Sequence, residues 1–287
     1  MCGIAGILNP PGLEIVPAVL ERMIGSIRHR GPDATETHRD PAVGLGLAHA
    51  RLSIIDLKSG GQPMANHDGT LWITFNGEIF NYLELRAELQ RGGRRFATES
   101  DTEVILQMYE EKGEDCVGYF NGDWAFAIWD SRRRTLFLSR DRVGVRPLFY
   151  AQSAGNFVFA SEVKAVLAHP DIQREIDLEA LDQVFTFWCP LQARTLFRAV
   201  HELPPGHSMR VHDGRVNVWP YWRMEFESID IREEDAAERL LDLLSDATKV
   251  AAIRAEFVEK RGAGFQYRPL LGDRDPPLDY RGSTGGR

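Results

Sequence analysis

A cysteine at position 2, followed directly by the apolar run Gly3-Ile4-Ala5-Gly6-Ile7-Leu8, limits what this chain can fold into more than any other segment does. A run of that length, closed by the turn Asn9-Pro10-Pro11-Gly12, reads as a buried strand. A fold built on it must set Cys2 at the open end of a core strand, with the chain terminus beside it. Removal of Met1 would give Cys2 a free α-amine next to its own thiol. An ordinary thiol, with a pKa of about 8.5, is mostly protonated at neutral pH, whereas an α-amine at roughly 7.7 to 8 has the basicity to take its proton. A nucleophile activated in this way divides an acyl transfer into two easier steps. Many proteins also carry a small second residue without using it, so the rest of the chain has to decide.

The 287 residues suffice for one large domain or two modest ones, and a hydrophobic share of 43% supplies a core. Against 42 acidic residues stand 34 basic ones, a net charge of −8 that offers no footprint for nucleic acid or an anionic membrane. Cys2, Cys116 and Cys189 are odd in number and widely spaced. They give neither a disulfide framework nor a zinc spacing, so no metal is expected and a reducing cytoplasm is the expected compartment. The apolar start is too short for a signal peptide, nothing later has the length of a membrane span, and Gly at position 3 rather than 2 excludes myristoylation.

Periodicity and turn residues predict a helix over residues 16–27 and strands over 43–49, 52–55 and 71–75, the last broken by Asn76-Gly77. A helix over 82–90 follows, then another opened by Ser100 as N-cap, with Glu103 as its capping-box partner. Short strands are expected at 124–129, 135–139, 148–151 and 157–160, helices at 161–167 and Leu178–Phe187, and a hairpin through Asp213-Gly214. This pattern predicts a layered α/β domain whose largely antiparallel sheet is packed by helices on both faces. An amphipathic helix runs over 233–250, with Ala237, Leu240, Leu241, Leu244 and Ala247 on one stripe. Residues 251–287 hold six Gly, six Arg and three Pro and show no sustained period, which predicts loop or disorder.

Attack by Cys2 on a carboxamide would create an oxyanion that needs preorganised N–H donors. Asn76 offers a side-chain amide, and Gly77 a backbone N–H that can be approached closely. The same dipeptide is also a common hairpin signal. A free amino acid would need a cation for its carboxylate and an anion for its ammonium. Arg51 has the planar fork for the first, or is a solvated surface residue. Asp101 and Glu78, next to loop-to-helix junctions, could supply the second; Asp101 could equally be a helix N-terminal charge favoured by the macrodipole. His49 receives no role.

Several motifs together resemble a known family. Met1-Cys2-Gly3-Ile4-Ala5-Gly6, Arg28-His29-Arg30-Gly31-Pro32-Asp33, Arg51-Leu52-Ser53-Ile54-Ile55-Asp56, Phe75-Asn76-Gly77-Glu78-Ile79-Phe80-Asn81 and Ser100-Asp101-Thr102-Glu103 occur in the order seen in class II glutamine amidotransferases. Asp141-Arg142-Val143-Gly144-Val145-Arg146-Pro147-Leu148-Phe149-Tyr150, Ser161-Glu162-Val163-Lys164-Ala165 and Leu203-Pro204-Pro205-Gly206-His207 narrow the resemblance to the amino-terminal half of glutamine-hydrolysing asparagine synthetases. The resemblance implies an α+β fold, the four-layer αββα sandwich of N-terminal nucleophile hydrolases. It implies Cys2, Asn76 and Gly77 as catalytic residues, Asn76 and Gly77 forming the oxyanion hole. Arg51, Leu52, Ser53, Ile54, Ile55, Asn76, Gly77, Glu78 and Asp101 are implied to hold L-glutamine, under a closing loop at Arg30-Gly31-Pro32-Asp33.

The resemblance divides the chain into a glutaminase domain at residues 2–220, a linker and first helix of a synthetase domain at 221–250, and a tail at 251–287 outside the family pattern. Glutaminase chemistry of this kind needs no cofactor; ATP and Mg serve the family's synthetase domain, whose Ser-Gly-Gly-x-Asp-Ser loop does not occur here. Arg146 stands where the family often has Lys. The expected partners are L-glutamine and a separate synthetase domain or a homodimer partner. Two other readings stay open: an amidotransferase with a different ammonia acceptor, and an inactive truncated remnant.

Overall fold

Burial on both faces accounts for the uninterrupted apolar run at the N-terminus. The computed structural model describes residues 1–10, 12–53 and 60–259, with side chains up to Lys249. In it the run forms β1 (Gly3–Leu8), a central strand. Chain order continues with α1 (Pro17–Ser26), β2 (Ala34–Asp40), β3 (Leu45–Arg51), β4 (Met64–Ala65), β5 (Leu71–Ile79), α2 (Tyr82–Arg91) and α3 (Asp101–Lys112). Then come β6 (Gly122–Asp130), β7 (Thr135–Arg140), β8 (Phe149–Ser153), β9 (Asn156–Ala160), α4 (Val163–Val166), α5 (Leu178–Phe187), β10 (His201–Glu202), β11 (His207–His212), β12 (Arg215–Pro220) and α6 (Glu233–Glu259). The strands make two six-stranded sheets, ordered β10-β8-β9-β1-β3-β2 and β12-β11-β7-β6-β5-β4, in which every pair is antiparallel.

Strand alternation divides the core into three layers of side chains. Ala5 and Ile7 of β1 pack outward with Leu20, Met23 and Ile24 of α1 and with Ala165 and Val166 of α4. Ile4 faces the other way and joins Leu45, Leu47, Ala125, Leu138, Phe159 and Met209 between the sheets. On the far side, Ile73, Phe75 and Ile79 of β5 pack with Leu85 and Leu89 of α2 and Val104, Ile105 and Met108 of α3. The order is helix, sheet, sheet, helix, the αββα sandwich that the resemblance implies. Fully burying one such side chain is worth roughly 1.5 to 3 kcal/mol, so the three layers dominate the fold's stability. Polar contacts also join the sheets: Thr74 Oγ1 donates to Ala48 O (3.1 Å), His49 Nε2 lies 3.1 Å from Phe75 O, and Arg140 of β7 pairs with Glu202 of β10 (2.7 Å). Burial lowers the His49 pKa to about 4, so it serves as a neutral core histidine.

Several expectations need correcting. Periodicity alone suggested a single sheet; short apolar runs do not reveal which sheet a strand joins. Asn76-Gly77 does not end a strand, because β5 runs through it to Ile79, paired with β6 along its whole length. The strand expected at 52–55 is not formed at its start: β3 ends at Arg51, Leu52 and Ser53 leave the sheet, and Ile54 and Ile55 lie outside the described residues. β2 was not foreseen, since its Thr, Glu, His, Arg and Asp carry no apolar alternation and occupy an edge. Ser100 does cap α3, accepting from Thr102 N–H (3.2 Å), but Glu103 does not return to Ser100. Its carboxylate instead takes the Ala97 and Thr98 N–H groups at 2.8 and 2.7 Å, bracing the preceding loop.

The chain divides into two compact units, Met1–Glu233 and Glu234–Arg287. In the second, α6 continues to Glu259, nine residues past the expected end of order. The stretch Ala251-Ala252-Ile253-Arg254-Ala255-Glu256-Phe257-Val258-Glu259 has no Gly or Pro and consists largely of good helix formers. Gly and Pro enter this segment only from Gly262 onward, outside the described residues.

Two glycines set a contrast in stability. A Cβ on Gly6 would lie 2.3 Å from the Phe159 ring, whereas Gly25, inside α1, faces open space. Gly6→Ala should destabilise by about 1 to 3 kcal/mol through overpacking. Gly25→Ala should stabilise by roughly 0.5 to 1 kcal/mol by helix propensity and reduced unfolded-state freedom. Thermal melts of the two variants, shifted in opposite directions, check both.

Candidate active site

Cys2 sits where β1 opens, clasped from the side of β3. Leu52 N–H donates to Cys2 Sγ at 3.3 Å, and Sγ lies 3.5 Å from Leu52 O. Burial nevertheless raises the thiol pKa, outweighing the Leu52 contact, the terminal amine and Arg51, which all lower it. A thiol in this setting is no preformed thiolate and needs a base. The terminal amine of Met1 has a lowered pKa, first from burial and also from Arg146 and Arg30, so this end of the chain favours a neutral amine. Arg146 is itself fixed by Asp123, with Nε 2.9 Å from Oδ1.

The segment after β3 is held in turn by the loop after α1. Asp33 N–H donates to Arg51 O (3.0 Å), and Ser53 N–H donates to Asp33 Oδ2 (2.8 Å). Gly31 has to be glycine, because a Cβ there would lie 2.1 Å from Ala50 O. Thus the expected closing loop and Arg51, Leu52 and Ser53 form one hydrogen-bonded unit around Cys2.

On the facing sheet, the pairing register decides which groups β5 presents. Trp124 of β6 turns its N–H and C=O away from β5: its N–H meets Asp141 Oδ2 (3.3 Å), and its O accepts from Asp141 N–H (2.8 Å). Its partner Gly77 is therefore in a non-hydrogen-bonded pair, with its own N–H directed to the opposite edge of β5. The N–H groups of Phe75 and Ile79 point to that edge too, and each is taken by a side chain: Phe75 N–H by Gln62 Oε1 (2.7 Å) and Ile79 N–H by Asp101 Oδ2 (3.1 Å). Gly77 N–H lies between them. A Cβ on Gly77 would meet Asp123 O at 2.1 Å, so no other residue fits. Asn76, one residue earlier, projects with Thr74 toward the sheet that carries Cys2. Only 1% of it is exposed, and its buried Nδ2 has no hydrogen-bond partner. Leaving such a donor unsatisfied costs roughly 1 to 3 kcal/mol, a cost that an incoming anionic oxygen would relieve.

Asp101 opens α3 at 4% exposure. The helix N-terminus favours its charge, as do the Ile79 and Thr102 N–H groups, yet burial and the neighbouring Glu78 prevail and raise its pKa to about 7. Two carboxylates in one buried place can accept a cation. Asp101 and Arg51 both act electrostatically on the Cys2 thiol, so groups of both signs converge on it. The structure therefore brings together Cys2, Arg51, Leu52, Ser53, Asn76, Gly77, Glu78 and Asp101, while Ile54 and Ile55 lie outside the described residues. Sequence reasoning missed Gln62, which links β5 to α3 through Phe75 N–H and Thr102 Oγ1 (3.2 Å). A single glutamine in a loop carries no signal of that bridge.

A family model for the glutamine amidotransferase domain matches residues 1–222. This chain belongs to that family. It is 38% identical over 251 residues to asparagine synthetase [glutamine-hydrolyzing] 3 of Bacillus subtilis, covering 86% of this chain and 41% of that protein. Amidase chyE of Penicillium rubens is 33% identical over 268 residues, covering 87% of this chain and 39% of that one. The chain thus spans about two fifths of the length of these curated relatives. Among solved structures, glutamine phosphoribosylpyrophosphate amidotransferase from B. subtilis superposes with a TM-score of 0.54 at 19% identity, covering 77% of this chain and 49% of that one. That last likeness concerns the fold alone, and it agrees with the two-sheet sandwich.

The Asp101 environment generates a test of how this amidotransferase domain holds an amino acid. An ionised Asp101 attracts an ammonium and a protonated one does not, so binding should be full above a pH of about 7 and weaken below it. Calorimetry of glutamine on Cys2→Ala should show affinity falling roughly tenfold per unit below about pH 6. In the Cys2→Ala/Asp101→Asn double variant the affinity should be low and flat with pH; an unchanged slope there would remove Asp101 from the ammonium site.

Proposed function

We propose that this chain hydrolyses the side-chain carboxamide of L-glutamine to glutamate and ammonia, with Cys2 as nucleophile once Met1 is removed. The observation that carries the reading is the buried, unpartnered Nδ2 of Asn76, beside the Gly77 N–H and on the sheet facing Cys2. The Cys2 amine takes the thiol proton, and Sγ attacks the carboxamide carbon. Asn76 Nδ2 and Gly77 N–H hold the oxyanion. The protonated amine then gives its proton to the leaving nitrogen, releasing ammonia and leaving a thioester. Water, deprotonated by the same amine, opens the thioester to glutamate and restores the thiol. Arg51 takes the substrate carboxylate, Asp101 and Glu78 its ammonium, and Leu52 and Ser53 line its path; Ile54 and Ile55, which the resemblance adds to this segment, lie outside the described residues.

Ammonia formed here is meant for ATP-dependent amidation of aspartate. We assign that step, with its ATP and Mg, to the portion of the asparagine synthetases that this chain does not span, acting as a separate domain. A cytoplasmic setting suits the three free cysteines. A second reading, glutaminase chemistry serving a different acceptor, is favoured by the matches to the amidases chyE and chry2.

Glutamate release from glutamine by the purified chain tests the proposal. Intact mass should show a chain without Met1. Cys2→Ala should abolish turnover, and Asn76→Ala should lower kcat by about a hundredfold or more, because the lost donor acts mainly in the transition state. If Asn76→Ala raised KM alone, the oxyanion assignment would fail; full turnover by a chain that retains Met1 would exclude the amine as base.

A further inference from the structure

Glu162 takes no part in the chemistry above, yet it is the hub of a charge cluster behind the nucleophile. Its Oε1 accepts from Arg30 Nη1 (3.1 Å) and lies 2.9 Å from His29 Nε2, and its Oε2 meets Lys164 Nζ at 2.9 Å. Arg30 in turn donates from Nε to the Cys2 carbonyl oxygen (2.9 Å). One guanidinium fork therefore spans the Glu162 carboxylate and the backbone of Cys2. Arg30 and Glu162 are well covered, at 10% and 22% side-chain exposure, while His29 and Lys164 are open at 56% and 52%. The first two form the buried link, and the others are its outer shell.

The pairing of β1 explains why such a link is needed. Toward β3 the strand is registered from Gly3 onward, but toward β9 only from Ala5. On that second side the first residues have no strand beside them. Ser161 fills the gap at Ile4, accepting its N–H at Oγ (3.0 Å) and donating its own N–H to Ile4 O (2.9 Å). Glu162 follows directly and reaches Cys2 through Arg30. Without it, Cys2 would be held from the β3 side alone.

We propose that Glu162 is a positioning residue for the nucleophile: by clamping Arg30 it fixes the Cys2 backbone, and with it both thiol and α-amine, against the oxyanion donors of β5. The proposal rests on the reading of Cys2 as the nucleophile. A planar, charged fork held by a carboxylate has one geometry, which a lysine or a neutral partner does not reproduce. Misplacement of about 1 Å at a reacting group can cost on the order of a hundredfold in rate.

The test uses the full chain and the near-isosteric Glu162→Gln, with two readouts. The first is glutaminase kinetics, where kcat should fall about ten- to a hundredfold with KM little changed. Introduced into Arg30→Lys, the same substitution should cost almost nothing further, since the clamp is already lost. The second is alkylation by iodoacetamide, followed residue by residue by peptide mass mapping. Freed on one side, the shielded Cys2 thiol should alkylate severalfold faster while the enzyme becomes slower. Cys116, fully buried, should stay protected and so report an intact fold. A kcat within twofold of the parent, a loss confined to KM, or fully additive losses in the double variant would overturn the proposal. If Glu162→Gln exposes Cys116, Arg30→Lys alone is mapped, and unchanged Cys2 alkylation there overturns it as well. Absence of glutamine turnover in the parent chain would defeat the functional reading; the alkylation rates would still decide whether Glu162 positions Cys2.

Discussion

The non-hydrogen-bonded pairing of Gly77 with Trp124 fixes what the second sheet offers to the first. Because Trp124 commits its N–H and C=O to Asp141, the Gly77 N–H must face the outer edge of β5 and the Asn76 side chain must face the nucleophile's sheet. A slip of one residue would exchange faces along the whole strand, directing Asn76 into the helix layer and a core residue toward Cys2. The register is held by the apolar layers on both faces of β5 and by the two side chains, Gln62 and Asp101, that close the neighbouring N–H groups. Structural and chemical demands meet here. Gln62 joins the Phe75 N–H to the Thr102 hydroxyl, whereas Asp101 takes the Ile79 N–H and also acts electrostatically on the Cys2 thiol.

Electrostatics at the site is governed by burial more than by charge pairing. It raises the Cys2 thiol despite a nearby cation, raises Asp101 despite a helix N-terminus and donated N–H groups, and lowers the terminal amine. Burial thus favours the neutral form of the Cys2 thiol, of Asp101 and of the Met1 amine alike.

Much of this was legible in the sequence because it depends on residue type at short range. Cys2 next to an apolar run, Asn76 before Gly77, and a capped helix beginning at Asp101 are each set by local sequence: Cys2 precedes β1, Asn76 and Gly77 lie in β5, and Ser100 caps α3. The errors concern long-range choices. Asn76-Gly77 suggests a strand end because its usual hairpin role is local, while the strand continues in pairing with β6, distant in sequence. The capping-box pattern assigns Glu103 to Ser100, but its carboxylate takes the Ala97 and Thr98 N–H groups, while the Ser100 N–H donates to Thr98 Oγ1. Polar edge strand β2, Gln62 and the Glu162–Arg30 link left no periodic or compositional trace, since their partners are set only by the fold.

The central claim is that Cys2, with a free amine and held opposite Asn76 and Gly77, is the group that meets the glutamine carboxamide. Reaction with an electrophilic glutamine analogue that alkylates thiols tests it most directly, read by intact mass and peptide mapping. The account predicts a single adduct on Cys2, confined to chains without Met1 or far faster in them, and suppressed by excess glutamine. Labelling of the exposed Cys189 at a comparable rate, or an adduct on Cys2 that glutamine does not protect, would contradict it.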